Sequence, residues 1–105
     1  MRKRKDFLAA NAGRRAATPG FVLLVRNRND GDPLKRVGFT VSRKVGNAVA
    51  RNRMKRRFRA LAREIIPAHG YSGSDHVMIG RAGGIEREFP ALRSDFIRAL
   101  ERAAP

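Results

Sequence analysis

The sequence predicts an α+β fold: a two-layer α/β sandwich with elements in the order α-β-β-α-β-α, built as a single domain over residues 1–105. Three observations predict it. Residues 21–28 and 36–42 are two short strand-like stretches divided by the loop signal Asn29-Asp-Gly-Asp-Pro33. Residues 48–66 switch to a helical period. A further apolar strand pattern and a final amphipathic stretch then follow.

Each element has its own signal. Residues 4–11 suit a short helix anchored by Phe7 and Leu8. Residues 21–28 begin continuously apolar and end charged, as a buried strand does near its exit. In residues 36–42, Val37, Phe39 and Val41 alternate with Gly38, Thr40 and Ser42, the period of a half-buried strand. The loop between these strands predicts that they pair as a hairpin. In residues 48–66, Met54, Phe58, Leu61 and Ile65 draw one apolar stripe, with Asn47 as the N-cap candidate and Pro67 as the stop. Residues 76–80 read as a third strand, and Ala82-Gly-Gly84 as a flexible loop. Residues 89–103 place Phe89, Leu92, Phe96, Leu100 and Ala103 on one helical face, with Pro90 in the first turn, where its missing N–H is not needed.

Charge narrows the function classes. The chain of 105 residues carries 24 Lys+Arg against 9 Asp+Glu, a net +15. Such a surface calls for a polyanion, either nucleic acid or an anionic membrane. No apolar run approaches the ~20 residues of a membrane span, and the stretch after the basic Arg2–Lys5 is too short and polar for a signal peptide. Nucleic acid is therefore the leading partner. The absence of cysteine excludes disulfides and thiolate chemistry and points to the cytoplasm.

The charge is also clustered. From Arg43 to Arg63, nine Lys/Arg occur with no acid. On the helix, Arg51, Asn52, Lys55 and Arg59 form one arc, Arg56 lies beside it, and Arg53 and Arg57 lie on the other flank. A merely solvated helix usually interleaves acids at i,i+4; this one sets Arg51 against Lys55, Lys55 against Arg59 and Arg59 against Arg63. Such repulsion makes sense opposite phosphates, which arginine can clamp with its planar fork.

The run from Arg36 to Arg57 resembles the signature of the bacterial ribonuclease P protein component. Its marks are the Gly38-Phe-Thr-Val-Ser42 strand, the Lys44-Val-Gly46 turn and Arg51-Asn52-Arg53 followed by Lys55-Arg56. Asp6-Phe7 matches that family's first-helix motif, and His76–Arg81 its last strand. The resemblance implies an α/β sandwich with a left-handed crossover. It also implies a protein subunit that binds the ribonuclease P RNA and the 5′ leader of precursor tRNA, while the RNA subunit performs Mg²⁺-dependent hydrolysis. Carried over by position, the leader cleft has Phe7, Val22 and Leu24 as its floor. Its wall consists of Ser42, Lys44, Arg51, Asn52, Lys55, Arg56 and Arg59. Arg43 joins the RNA-binding set. Arg53 is assigned either to the RNA subunit or to supporting the fold, and simple core packing stands as the other reading of Phe7, Val22 and Leu24. The family often has an aromatic residue where Leu24 stands, so binding here leans more on charge. Cytoplasmic action is expected, and no obligate protein partner is inferred.

Catalytic and metal-ligating residues are not expected in the chain. Asp30/Asp32 and Glu86/Glu88 read as loop and cap chemistry, and His69 and His76 are too isolated for an acid–base couple or a zinc site. Two other classes compete: a structural protein of folded ribosomal RNA, and an autonomous nuclease. Co-sedimentation with ribosomal subunits would mark the first, and cleavage by RNA-free protein the second.

Overall fold

In the computed structural model, residues 14–105 are described. The predicted helix at 4–11, with Phe7, lies outside them. Within them the order is β1 (Arg14–Ala17), β2 (Phe21–Asn27), β3 (Arg36–Thr40), α1 (Ala48–His69), β4 (Ser74–Gly80), a 3₁₀ turn (Ala82–Gly84) and α2 (Phe89–Arg102). Four strands form one sheet in the order β1-β2-β4-β3. The two helices cover one of its faces, giving the predicted α+β two-layer architecture.

The core explains the layering. Met54, Phe58, Leu61 and Ile65 of α1 are all buried against the sheet, as the stripe predicts. Phe21 of β2 meets Phe58 and Phe96 edge-on, with ring centroids 5.6 and 5.8 Å apart, joining sheet, α1 and α2 at one point. Such T-shaped pairs stabilise beyond their buried area. Across β4, Phe21 stands opposite Gly80. A Cβ there would come within 2.5 Å of Met54 Sδ, so glycine is what lets α1 lie close to the sheet.

The predicted hairpin is not formed. β2 pairs antiparallel with β1 on one side and with β4 on the other, and β3 pairs with β4 in parallel. A continuously apolar strand such as β2 is stable only in the sheet interior, flanked on both sides. β1, a short half-charged strand without a clear alternating signal, supplies one flank. Meanwhile Arg28 gathers the loop after β2 across the end of β4: its guanidinium binds Asp30, Asp75 and the carbonyls of Asp32 and Leu34. The loop is thereby carried past β4, and β3 arrives on the far side. The chain then returns to β4 through α1, a crossover between parallel neighbours.

Pro67 does not end α1, which runs two positions further to His69, with Gly70 as its C-cap. Proline removes one helical N–H donor but does not unmake turns already formed. The terminal carbonyls find other donors: Gly70 N–H to Ile66 O at 2.8 Å and Lys35 Nζ to Pro67 O at 2.8 Å. The start is as predicted, with Asn47 accepting from Ala50 N–H at 2.9 Å. Asp30 and Asp32 likewise act as loop acids, accepting from the backbone N–H of Asp32 and Leu34. Glu88 sits at the N-cap position of α2, and its side chain makes no capping hydrogen bond. The Ala82–Gly84 segment is not a loose loop. Gly84 lies so close to Gly20 that a Cβ would meet Gly20 O at 2.7 Å.

Candidate nucleic-acid interface

The polar wall is built at the entry to α1. β3 ends at Thr40, and the chain turns through Ser42, whose carbonyl accepts from Val45 N–H at 3.1 Å. Val45 is buried and anchors this turn, leaving Ser42, Arg43 and Lys44 exposed. Asn47 then caps the helix, and Arg51 and Asn52 follow within its first turns.

Along α1, Asn52, Arg53, Arg56, Arg59 and Arg63 are exposed, while Arg51, Lys55 and Arg57 are half-buried. The side chains of Arg53, Lys55, Arg56 and Arg59 make no hydrogen bond or ion pair among the described residues. Arg51 Nε is buried without a hydrogen-bond partner. No acid lies in the first turn of α1, so Arg51, which closes that turn, also meets the positive end of the helix dipole. Mutual repulsion and the dipole both disfavour the arrangement, and phosphate oxygens would relieve both.

Arg57 behaves differently from its neighbours. Its guanidinium donates to the carbonyls of Gly84, Ile85 and Arg87 and lies 5.9 Å from the centre of the Phe89 ring. Burial, then the like charge of Arg53, pushes its pKa down. It fastens the segment before α2 to α1. Arg53 lines the same hollow, together with Arg57, Ile85, Glu86, Arg87, Glu88 and Phe89. That places it on the flank away from the Arg51–Lys55–Arg59 arc, as the helical spacing predicts.

The strand register composes the other sheet face in rows. Directly opposed residues share a face. One row is Ala17–Val22–Ile79–Thr40 and the next is Arg15–Leu24–Val77–Gly38. The third contains Arg26–Asp75–Arg36. Val22, Leu24 and Val77 form an apolar cluster separate from the main core, with Ile79 against it. Val22 and Leu24 therefore lie on the face away from the two helices, at 8% and 0% exposure. The row containing Val22 ends at Thr40, two positions before Ser42, so this floor adjoins the wall. Sequence reasoning missed Arg15, Arg26, Arg36 and Asp75, because their shared face depends on a strand register that no local pattern encodes.

Asp75 is almost wholly buried. Its Oδ1 accepts from Arg28 at 3.0 Å and Arg36 at 2.9 Å, and its Oδ2 lies 3.9 Å from Arg26. Arg28, itself nearly enclosed, loses to desolvation, but its bonds to Asp30 and Asp75 carry its pKa above the ordinary value. Among the described residues no group of three or more His, Cys, Asp or Glu could hold a metal ion, and no helix is long and apolar enough to cross a membrane.

A four-stranded sheet backed by two helices, one of them rich in arginine and free of acids from Arg51 to Arg63, defines a small basic α+β protein whose surface suits phosphates. The sequence model described as Ribonuclease P matches residues 1–104. The ribonuclease P protein component of Erythrobacter litoralis is 57% identical over 104 residues, spanning 98% of this chain and 84% of that protein. That of Gluconacetobacter diazotrophicus is 46% identical, spanning 98% and 89%. Among solved structures, the Staphylococcus aureus RNase P protein superposes with a TM-score of 0.82 at 28% identity, covering 99% of this chain and 94% of that one. The Thermotoga maritima RNase P protein gives 0.81 at 32%, covering 97% of each. The chain belongs to the ribonuclease P protein family.

Proposed function

We propose that the protein binds two RNAs within one particle: the ribonuclease P RNA and the single-stranded 5′ leader of precursor tRNA. One observation carries this reading. The segment from Arg43 to Arg63, the entry turn and first four turns of α1, holds nine basic residues and no acid. The side chains of Arg53, Lys55, Arg56 and Arg59 there are engaged with no other described residue. Ser42, Lys44, Arg51, Asn52, Lys55, Arg56 and Arg59 form the wall toward the leader, and Val22 and Leu24, buried at 8% and 0% exposure, support its floor from beneath. Arg43 adds to the RNA-binding surface, and Arg53 faces the RNA subunit.

In this reading the RNA subunit performs the phosphodiester hydrolysis that removes the leader, and Mg²⁺ is held by that RNA and the substrate. The protein supplies no catalytic residue. It neutralises phosphates around the cleavage site, so that fewer metal ions are needed to hold the substrate, and it acts in the cytoplasm. Reconstitution tests this. Adding the protein to its RNA subunit lowers the Mg²⁺ needed for precursor-tRNA cleavage. An unchanged Mg²⁺ dependence sinks the reading.

A further inference from the structure

The leader-binding floor has a charged boundary at the end remote from the entry to α1. Thr40, the exit toward α1, lies in the first row, and the Arg26–Asp75–Arg36 row lies two rows away. Four residues of strand separate Arg36 from Thr40, a distance of about 13 Å. At the remote corner, Arg15 stands directly across from Leu24, and Arg26 lies two positions along β2 on the same face. The two arginines are thus diagonal neighbours bracketing Leu24.

Neither is held by a short ion pair there. The Asp75 oxygen that forms short bonds is taken by Arg28 and Arg36. The other oxygen has no hydrogen-bond partner and is only a long 3.9 Å contact for Arg26, whose side chain keeps 34% exposure. Arg15 is exposed and pairs with no acid among the described residues. Edge protection is an insufficient explanation. Arginine does blunt an edge strand such as β1, but Arg26 belongs to the interior strand β2 and stands beside an apolar floor. Two like charges held side by side at an apolar boundary suit a bridging phosphodiester, with each guanidinium donating to it.

We propose that Arg15 and Arg26 form a second phosphate grip, which holds the RNA leader where it leaves the sheet face at the end away from Thr40 and the entry to α1. This rests on the leader-binding reading above. It adds that the floor is clamped at both ends, by the α1 wall near the cleavage site and by this pair further along the leader. The shared ligand chemistry is an RNA phosphodiester, and leader length distinguishes the substrate from the RNA subunit as its source.

The test uses holoenzyme reconstituted from the full chain and its RNA subunit. Its affinity is measured for precursor tRNAs whose leaders are shortened one nucleotide at a time, down to tRNA with none. Arg15→Gln with Arg26→Gln, both at accessible positions, is compared with wild type. The double variant binds leaderless and short-leader substrates normally. It is severalfold weaker on long leaders, with a salt slope reduced by about 0.7 per lost contact. A deficit equal at every leader length overturns the proposal, because the arginines then serve the RNA subunit or the fold. No deficit at any length also overturns it. A wild-type holoenzyme that gains nothing from any leader instead overturns the leader-binding reading itself.

Discussion

The backbone N–H of Tyr71 donates to Nε2 of His76 at 3.0 Å, while Nδ1 of the same ring lies 3.0 Å from the carbonyl of Arg36. This pattern fixes a neutral imidazole with its proton on Nδ1, because Nε2 must accept. His76 is fully buried, and burial is the main cause pushing its pKa below the usual 6.5. The Arg36 carbonyl and Asp75 oppose that shift, and Lys35 and Arg28 add to it.

A pH dependence follows. Between the unfolded pKa near 6.5 and the lower folded value, the unfolded chain binds more protons, so stability rises with pH. The contribution of His76 is complete above pH 6.5 and is lost as pH falls toward the folded pKa, with a slope of up to about 1.4 kcal/mol per pH unit. Urea unfolding at a series of pH values checks this. His76→Gln, which keeps an acceptor without titrating, flattens the acid limb.

The α1 arc gives an electrostatic prediction. Arg56→Ala and Arg59→Ala each weaken RNA binding and lower the slope of log K against log salt by about 0.7–0.9 where the residue meets one phosphate. Titrations of the RNA subunit at several salt concentrations read both quantities. Wild-type affinity and slope remove that residue from the interface.

Arg57 is expected to depart from this pattern. Its guanidinium satisfies the carbonyls of Gly84, Ile85 and Arg87, so Arg57→Ala costs about 1–3 kcal/mol of stability by stranding those acceptors. Thermal unfolding shows the loss, and the salt slope of RNA binding stays close to wild type.

Phe58 sits where β2, β3 and α1 meet, edge-on to Phe21 and stacked with Phe39. Phe58→Ala destabilises by about 3–5 kcal/mol through lost burial and the cavity left behind. An unchanged unfolding midpoint would refute the packed face assigned to α1.

The sequence expressed these features unequally. The stripe of α1, the Asn47 cap and Pro90 at the start of α2 are local signals, each complete within a few turns of chain, and each is found in the structure. The choice of strand partners is not local. Arg28 reaches Asp75 over 47 positions, and that contact, with the buried nature of β2, decides against the hairpin. The same reasoning covers the site. Arg51 to Arg59 are legible because a helix converts spacing into direction. Arg15 and Arg26 are not, because only the β1–β2 register sets them on one face. Arg57, adjacent in sequence to the exposed Arg56, looks interchangeable with it until its carbonyl partners are seen.

The strand order has a bearing on synthesis. β4 lies inside the sheet and is the only strand joining β2 to β3 among the described residues, yet it is the last made. A growing chain that has not reached Ser74 already carries the whole of α1, but its sheet has no centre. Such non-local pairing slows folding, since the ends of a long loop must meet before any contact rewards it. The protein therefore acquires its cluster of basic side chains well before its tertiary structure. An emerging chain is a basic peptide first and a domain only after its final third has left the ribosome.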